Sequence, residues 1–310
     1  MIRELKEMRE RGRPGSAAPT ISLTMVLVGC LVVPFGGAAQ GQSRSGRRQE
    51  AHSRPAAFTP AHRATVEQAM AAACAERTQD PFGSMPIDEM QSRPSMPIGH
   101  PEAVAGARRA ARLLPEARRL VTSALAQLAA EYGLYQSARH RDRIRIASAR
   151  VQSVTRVKPD MEARDNASVF LRDPHTIHFG TIFLAGLRSD EAVLSVLAHE
   201  LTHIADGRSD TLHPIFRAVG RRAASRTGLR IEGQRAEELA CDLVGALVTR
   251  SFIQRTPSWE RLPRRLARSL EHNCVEDDEG DEEHLSPRNT IRALLVLDLS
   301  LASNLLSDRL

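Results

Sequence analysis

The chain has 310 residues, 42% of them apolar and 26% charged, which is enough for one large domain or two small ones and too apolar for a disordered chain. The net charge of +6 is almost all arginine, since Lys6 and Lys158 are the only lysines. Those arginines are scattered, with no interleaved aromatics and no nucleic-acid-binding signature, so the reading excludes nucleic acid as a partner and takes the charge as general surface charge.

Residues 1–39 read as a signal sequence. A polar, mixed-charge start leads into the apolar run Ile21 to Phe35, which is short for a membrane span, and small residues then make Ala39 a candidate cleavage point. A second reading takes "LVGC" as a lipobox that makes Cys30 a lipidated N-terminus. Either reading predicts export to a periplasmic or extracellular location, with membrane attachment only through such a lipid or an uncleaved signal. Cleavage leaves Cys74, Cys241 and Cys274, which permits one disulfide and one free thiol. Cys241 falls in an apolar helical pattern, so Cys74 and Cys274 are the preferred pair.

Residues 40–101 form an extension. Residues 40–60 are rich in Gly, Ser, Pro and Arg and read as a linker, 61–77 as an alanine-rich helix, and 80–101 as an irregular proline-rich segment. The domain proper is placed at 102–310. Its first helices are expected over 102–113 and 115–132, with Pro115 in the first turn of the second. The alternation in "RIRIASARV", 143–151, and the β-branched and aromatic content of "TIHFGTIFLAGL", 176–187, predict strands.

Helical periodicity returns at Ser189, a candidate N-cap followed by Asp190 and Glu191. A further helix is expected over about 234–252, and the C-terminal 288–306 is also helical. The acidic run "EDDEGDEE", 276–283, lacks calcium-loop spacing and reads as a solvated loop. The fold class is therefore α+β, with a small sheet before the helix that carries the motif below.

That motif is "HELTH", 199–203. On a helix, His199 and His203 share a face and present two imidazoles to one point, the usual beginning of a zinc site, while Glu200 is placed to move a proton for water activated there. A chance match is expected in roughly 3% of such chains, so the pattern needs a third ligand to carry weight. One placement of that ligand fails, because Asp206 and Ser209 stand where a Gly and a His would be required. Another succeeds. In "RAEELACD", 235–242, Glu238 and Asp242 are four apart, so Glu238 is a candidate ligand and Asp242 a candidate acceptor for the second ring N–H of a histidine. Glu237 competes for the ligand role.

Together "VLAHELTH" and "RAEELACD" resemble the gluzincin peptidases that include the CAAX prenyl endopeptidases, the heat-shock membrane peptidases and the periplasmic β-barrel-assembly-enhancing proteases. The resemblance spans about 140–300. It implies a helical zincin-like domain, one Zn²⁺ held by His199, His203 and Glu238, Glu200 as the catalytic acid/base, and Asp242 as the residue orienting a ligand histidine. It also implies a substrate polypeptide lying along an edge strand before the zinc helix, a place occupied by 176–187. The expected function is an exported zinc metallopeptidase, most simply an endopeptidase, that hydrolyses peptide bonds of envelope or misfolded proteins with zinc-activated water. The alternative is a chaperone-like module of the same fold that binds such proteins without cleaving them. Thr202 stands where the family commonly has Gly. Ser286 stands where it often has a histidine, with His284 displaced nearby and Pro287 and Arg292 kept.

Overall fold

The computed structural model describes residues 57–77, 96–163, 166–170, 172–270, 274 and 280–307. The signal, the Cys30 lipobox, the Ala39 cleavage point, most of the linker and most of the proline-rich and acidic segments lie outside these residues. The described part is mostly helical, with one small sheet. No helix in it is long and apolar enough to cross a membrane.

Helix α1 (Pro60–Arg77) is the alanine-rich segment, and it buries Val66, Ala69 and Ala73. Helix α2 (Pro101–Glu131) runs straight through the expected break at 114, with Pro115 inside it. Proline there removes the bond to the carbonyl of Ala111, yet Leu113, Leu114, Ala117 and Leu120 are all buried around it, and that burial outweighs one lost hydrogen bond.

Helix α3 (Ala138–Ser153) overturns the strand expected at 143–151. Ile144, Ala147 and Val151 are buried at helical spacing, whereas Ile146, which made the segment look alternating, is 40% exposed. Ser137 caps the helix by accepting the His140 N–H.

The sheet has strands β1 (Arg156–Asp160), β2 (Ala167–Phe170) and β3 (Asp173–Gly180) in the order β1-β3-β2, with β1 parallel and β2 antiparallel to β3. Two expectations for 176–187 need correction. The strand ends at Gly180, and Thr181–Gly186 is a short buried helix, α4. The strand is also central, hydrogen-bonded on both sides, because the five residues Thr176 to Gly180 are apolar or buried enough to lie between two neighbours. The edges are β1 and β2, and β2 packs on the helix that follows.

That helix, α5 (Asp190–Asp206), carries the motif. It is apolar almost all round and sits in the core, packed by α2, α3 and α7 (Gln234–Arg255), with α6 (His213–Thr227) between α5 and α7 in sequence. The remaining helices are α8 (Leu262–Arg268), α9 (Pro287–Leu297) and α10 (Leu299–Leu305). The last two replace the single helix expected at 288–306. They separate at Asp298, whose carboxylate caps α10 by accepting the Ser300 and Leu301 N–H groups.

Helix α1 packs against α8, α9 and α10, and the Cys74–Cys274 disulfide ties it there across 200 residues of chain. Cys241 is free and buried, as expected. Reducing this disulfide releases a very long loop in the unfolded chain and should lower stability by about 2–5 kcal/mol. Melting curves with and without a thiol reductant measure that loss directly, and an unchanged midpoint would show that the tie contributes nothing.

Candidate metal centre

Helix α5 is held at both ends. Ser189 accepts the Ala192 N–H, and Arg112 pairs with Asp190 at 2.7 Å while Arg109 donates to the Leu187 carbonyl. At the other end the chain turns through Gly207 at φ +58°, and the Arg150 guanidinium from α3 donates to the carbonyls of Ala205 and Asp206 and to the hydroxyls of Thr211 and Ser209. A cation on the last carbonyls satisfies orphan acceptors and suits the helix dipole.

Helix α7 lies close alongside. Gly245 makes the approach possible, since a Cβ there would stand 2.9 Å from the Ser195 carbonyl oxygen and hydroxyl. Thr202, where glycine is common in the resembling family, is buried and donates to the Ala198 carbonyl, so its hydroxyl is satisfied within the helix.

The close pairing of the two helices brings the sequence-predicted residues together. His199 Nε2 and His203 Nε2 are 3.1 Å apart, and Glu238 Oε2 lies 3.2 Å from the first and 3.4 Å from the second. Donors in a tetrahedron with bonds of about 2.0–2.1 Å stand about 3.3–3.4 Å apart, so this triangle fits a tetrahedral metal with its fourth position open.

The far side of each ring is oriented too. His199 Nδ1 meets Asp242 Oδ1 at 2.8 Å, and His203 Nδ1 meets Glu237 Oε1 at 3.2 Å. A carboxylate there holds the proton on Nδ1 and leaves the Nε2 lone pair to the converging point. Glu237, weighed as a rival ligand, contacts the other nitrogen of His203. Cys241 also touches Nδ1, at 3.8 Å, and not the Nε2 pair.

Electrostatics agree with the geometry. Burial opposes charge on His199, yet the Asp242 carboxylate and its hydrogen bond, with Glu238, raise the ring well above the usual histidine value. His203 is raised in the same way against its burial, by Cys241, Glu238 and Glu237. Glu238 is buried, which by itself would raise it, but the two imidazoles hold its carboxyl far below the usual range. The site is a preformed anion facing two basic rings.

Glu200 is 7% exposed, and its carboxyl makes no hydrogen bond among the described residues. Its burial pushes its carboxyl up, opposed by His199 and His203. That is the direction a general base working near neutral pH requires.

The displaced histidine of the sequence, to which no role was given, is a neighbour of the site. His284 Nε2 lies 3.9 Å from Glu238 Oε2, with its Nδ1 3.2 Å from Asp281 Oδ1. The Asp281 carbonyl in turn accepts from Arg235, so the loop before α9 is fastened to the first turn of α7. Ser286, where the resembling peptidases often have a histidine, caps α9 by accepting the Asn289 N–H, and Arg292 pairs with Glu67 of α1 at 3.0 Å. The displaced histidine reaches the site because it sits on a loop, where register along the chain is no guide.

One turn beyond His203, Asp206 is 4% exposed and accepts the Leu212 N–H at 2.5 Å, with His213 Nε2 3.9 Å away and Asp210 beyond it. Burial raises its pKa to about 6 against that hydrogen bond, with Glu237 and Asp210 raising it further and His213 lowering it. A raised carboxyl binds its proton better folded than unfolded. Its stabilising protonated form is fully present below pH 3.8 and is lost as pH rises through about 6. In chelator-treated protein, Asp206→Asn should therefore gain melting temperature over the wild type as pH rises from 4 to 7. A pH-independent difference would contradict this assignment.

Comparison with known protein families, with characterised proteins and with solved structures returns no match.

Proposed function

We propose that the protein is an exported zinc-dependent metallopeptidase with a zincin-like domain. The observation that carries this reading is the triangle of His199 Nε2, His203 Nε2 and Glu238 Oε2, with the buried, unbonded Glu200 carboxyl beside it. Two imidazoles and one carboxylate are a donor set suited to catalytic zinc, which supplies a Lewis acid that makes water nucleophilic near neutral pH.

The chain's own residues do the rest. Asp242 and Glu237 keep the ligand rings in the required tautomer. Glu200 takes a proton from water as its oxygen adds to the peptide carbonyl carbon; the C–N bond then breaks, and the same proton passes to the leaving nitrogen. Of the two edge strands β2 is the one that packs on α5, so it, rather than the central β3, would pair with a substrate strand. The substrates are polypeptides, with envelope or misfolded proteins the class implied by export. The Cys74–Cys274 disulfide supports export, because such bonds persist in oxidising compartments.

The test is digestion of an unfolded protein such as reduced casein. Cleavage should stop with 1,10-phenanthroline and return with added zinc. Zinc-loaded protein that binds unfolded chains and leaves them intact would replace the peptidase with the non-cleaving, chaperone-like module.

A further inference from the structure

Away from the metal centre, a cavity of about 440 Å³ opens between the N-terminal halves of α3 and α6. Its volume falls within the roughly 300–1,000 Å³ of small-molecule sites. Four arginines line it: Arg139 and Arg143 from α3, Arg217 and Arg221 from α6, together with His140 and Tyr132. Each pair is four apart, so each helix turns two guanidinium groups to the same cleft.

No acid lines this cavity. Nearby carboxylates are engaged elsewhere, Asp142 with Arg145 at 3.6 Å and Glu131 with Arg222. The side chains of Arg139, Arg143, Arg217 and Arg221 make no ion pair or hydrogen bond among the described residues. Arg139, Arg217 and Arg221 are exposed, and Arg143 is half-buried. Four like charges facing one space repel each other and gain nothing from the protein itself.

The helix ends sharpen the point. Helix α3 has no acid in its first turn and has Arg139 and Arg141 there instead, whereas the α6 start already has the Asp206 carboxylate on the Leu212 N–H. Cations at a helix N-terminus oppose the macrodipole, which favours negative charge at that end. Four guanidinium groups and the α3 N-terminus thus converge on one cleft, and an anion in it relieves the unfavourable positive charge gathered there.

We propose that this cavity binds a phosphate-bearing anion with at least two negative charges, held by bidentate arginine forks from both helices. Arginine matches phosphate oxygens two at a time, and two opposed pairs suit a diphosphate or a phosphorylated headgroup better than a single carboxylate.

The experiment uses the purified full chain and two probes, inorganic pyrophosphate by titration calorimetry and phosphatidylglycerol vesicles by co-sedimentation, with phosphatidylcholine vesicles as reference. Arg139→Gln/Arg143→Gln and Arg217→Gln/Arg221→Gln should each weaken binding by at least about tenfold, as expected for loss of charge-assisted bidentate contacts. Arg145→Gln/Arg230→Gln, which removes two arginines that do not line the cavity, should not. These side chains support no internal contact, so melting temperatures should stay unchanged and confirm folded variants. Binding of pyrophosphate identifies a soluble phosphate compound, and binding of anionic vesicles alone identifies a lipid headgroup; either supports the site. Binding of neither probe, or equal loss in the control pair, overturns it.

Discussion

A Glu200→Gln protein is expected to keep its metal and to lose peptide hydrolysis by about 10²–10⁴-fold, the range general acid–base catalysis supplies. Glutamine has nearly the same shape and cannot take a proton from water. The Glu200 carboxyl makes no hydrogen bond among the described residues, so the exchange breaks no such contact. It also removes an acid whose buried position disfavours its charge, so stability should hold or rise slightly. The two readouts separate chemistry from structure. Lost turnover with unchanged zinc content and melting temperature assigns Glu200 to proton transfer, whereas retained turnover removes it from that role.

Glu238→Ala should do the opposite and lose the metal itself. Its carboxylate is the acid whose oxygen lies within 3.4 Å of both Nε2 atoms. Asp242 and Glu237 are committed to the Nδ1 side, and Cys241 Sγ lies 3.8 Å from His203 Nδ1. The loss of affinity should exceed the roughly 10–100-fold that follows removal of an outer hydrogen-bond partner. Glu237→Ala sets the scale: as a positioning residue, its removal should weaken zinc binding less than Glu238→Ala does. Equal effects would mean that the two glutamates have been assigned the wrong way round.

The site was far more legible in the sequence than the sheet was. His199, Glu200 and His203 lie within one helical turn and Glu238 and Asp242 within another, so helix periodicity alone decides which atoms share a face. Ser189, with two acids behind it, marked the start of α5 to the residue. What periodicity cannot report is which long-range neighbours a segment has. The 143–151 segment alternates as a strand would, yet the core takes Ile144, Ala147 and Val151 and leaves Ile146 to solvent. In the same way, 176–180 has the composition of any strand, and only the pairing of both its sides makes it central. The nearness of His284 to Glu238 and the arginine cleft were hidden for one reason: each is assembled from chain segments that are distant in sequence. The arginines that read as scattered surface charge converge once α3 and α6 are folded together.

Metal content is the most direct test of the three-donor centre. Zinc should be measured by atomic absorption or mass spectrometry on the purified protein after dialysis, beside Glu238→Ala prepared identically. The geometry predicts about one zinc per chain in the wild type, as a single three-donor site would hold, and a near-complete loss in the variant. A wild type that takes up no zinc under metal-replete conditions, or a variant that retains it in full, would contradict the three-ligand centre and the peptidase built on it.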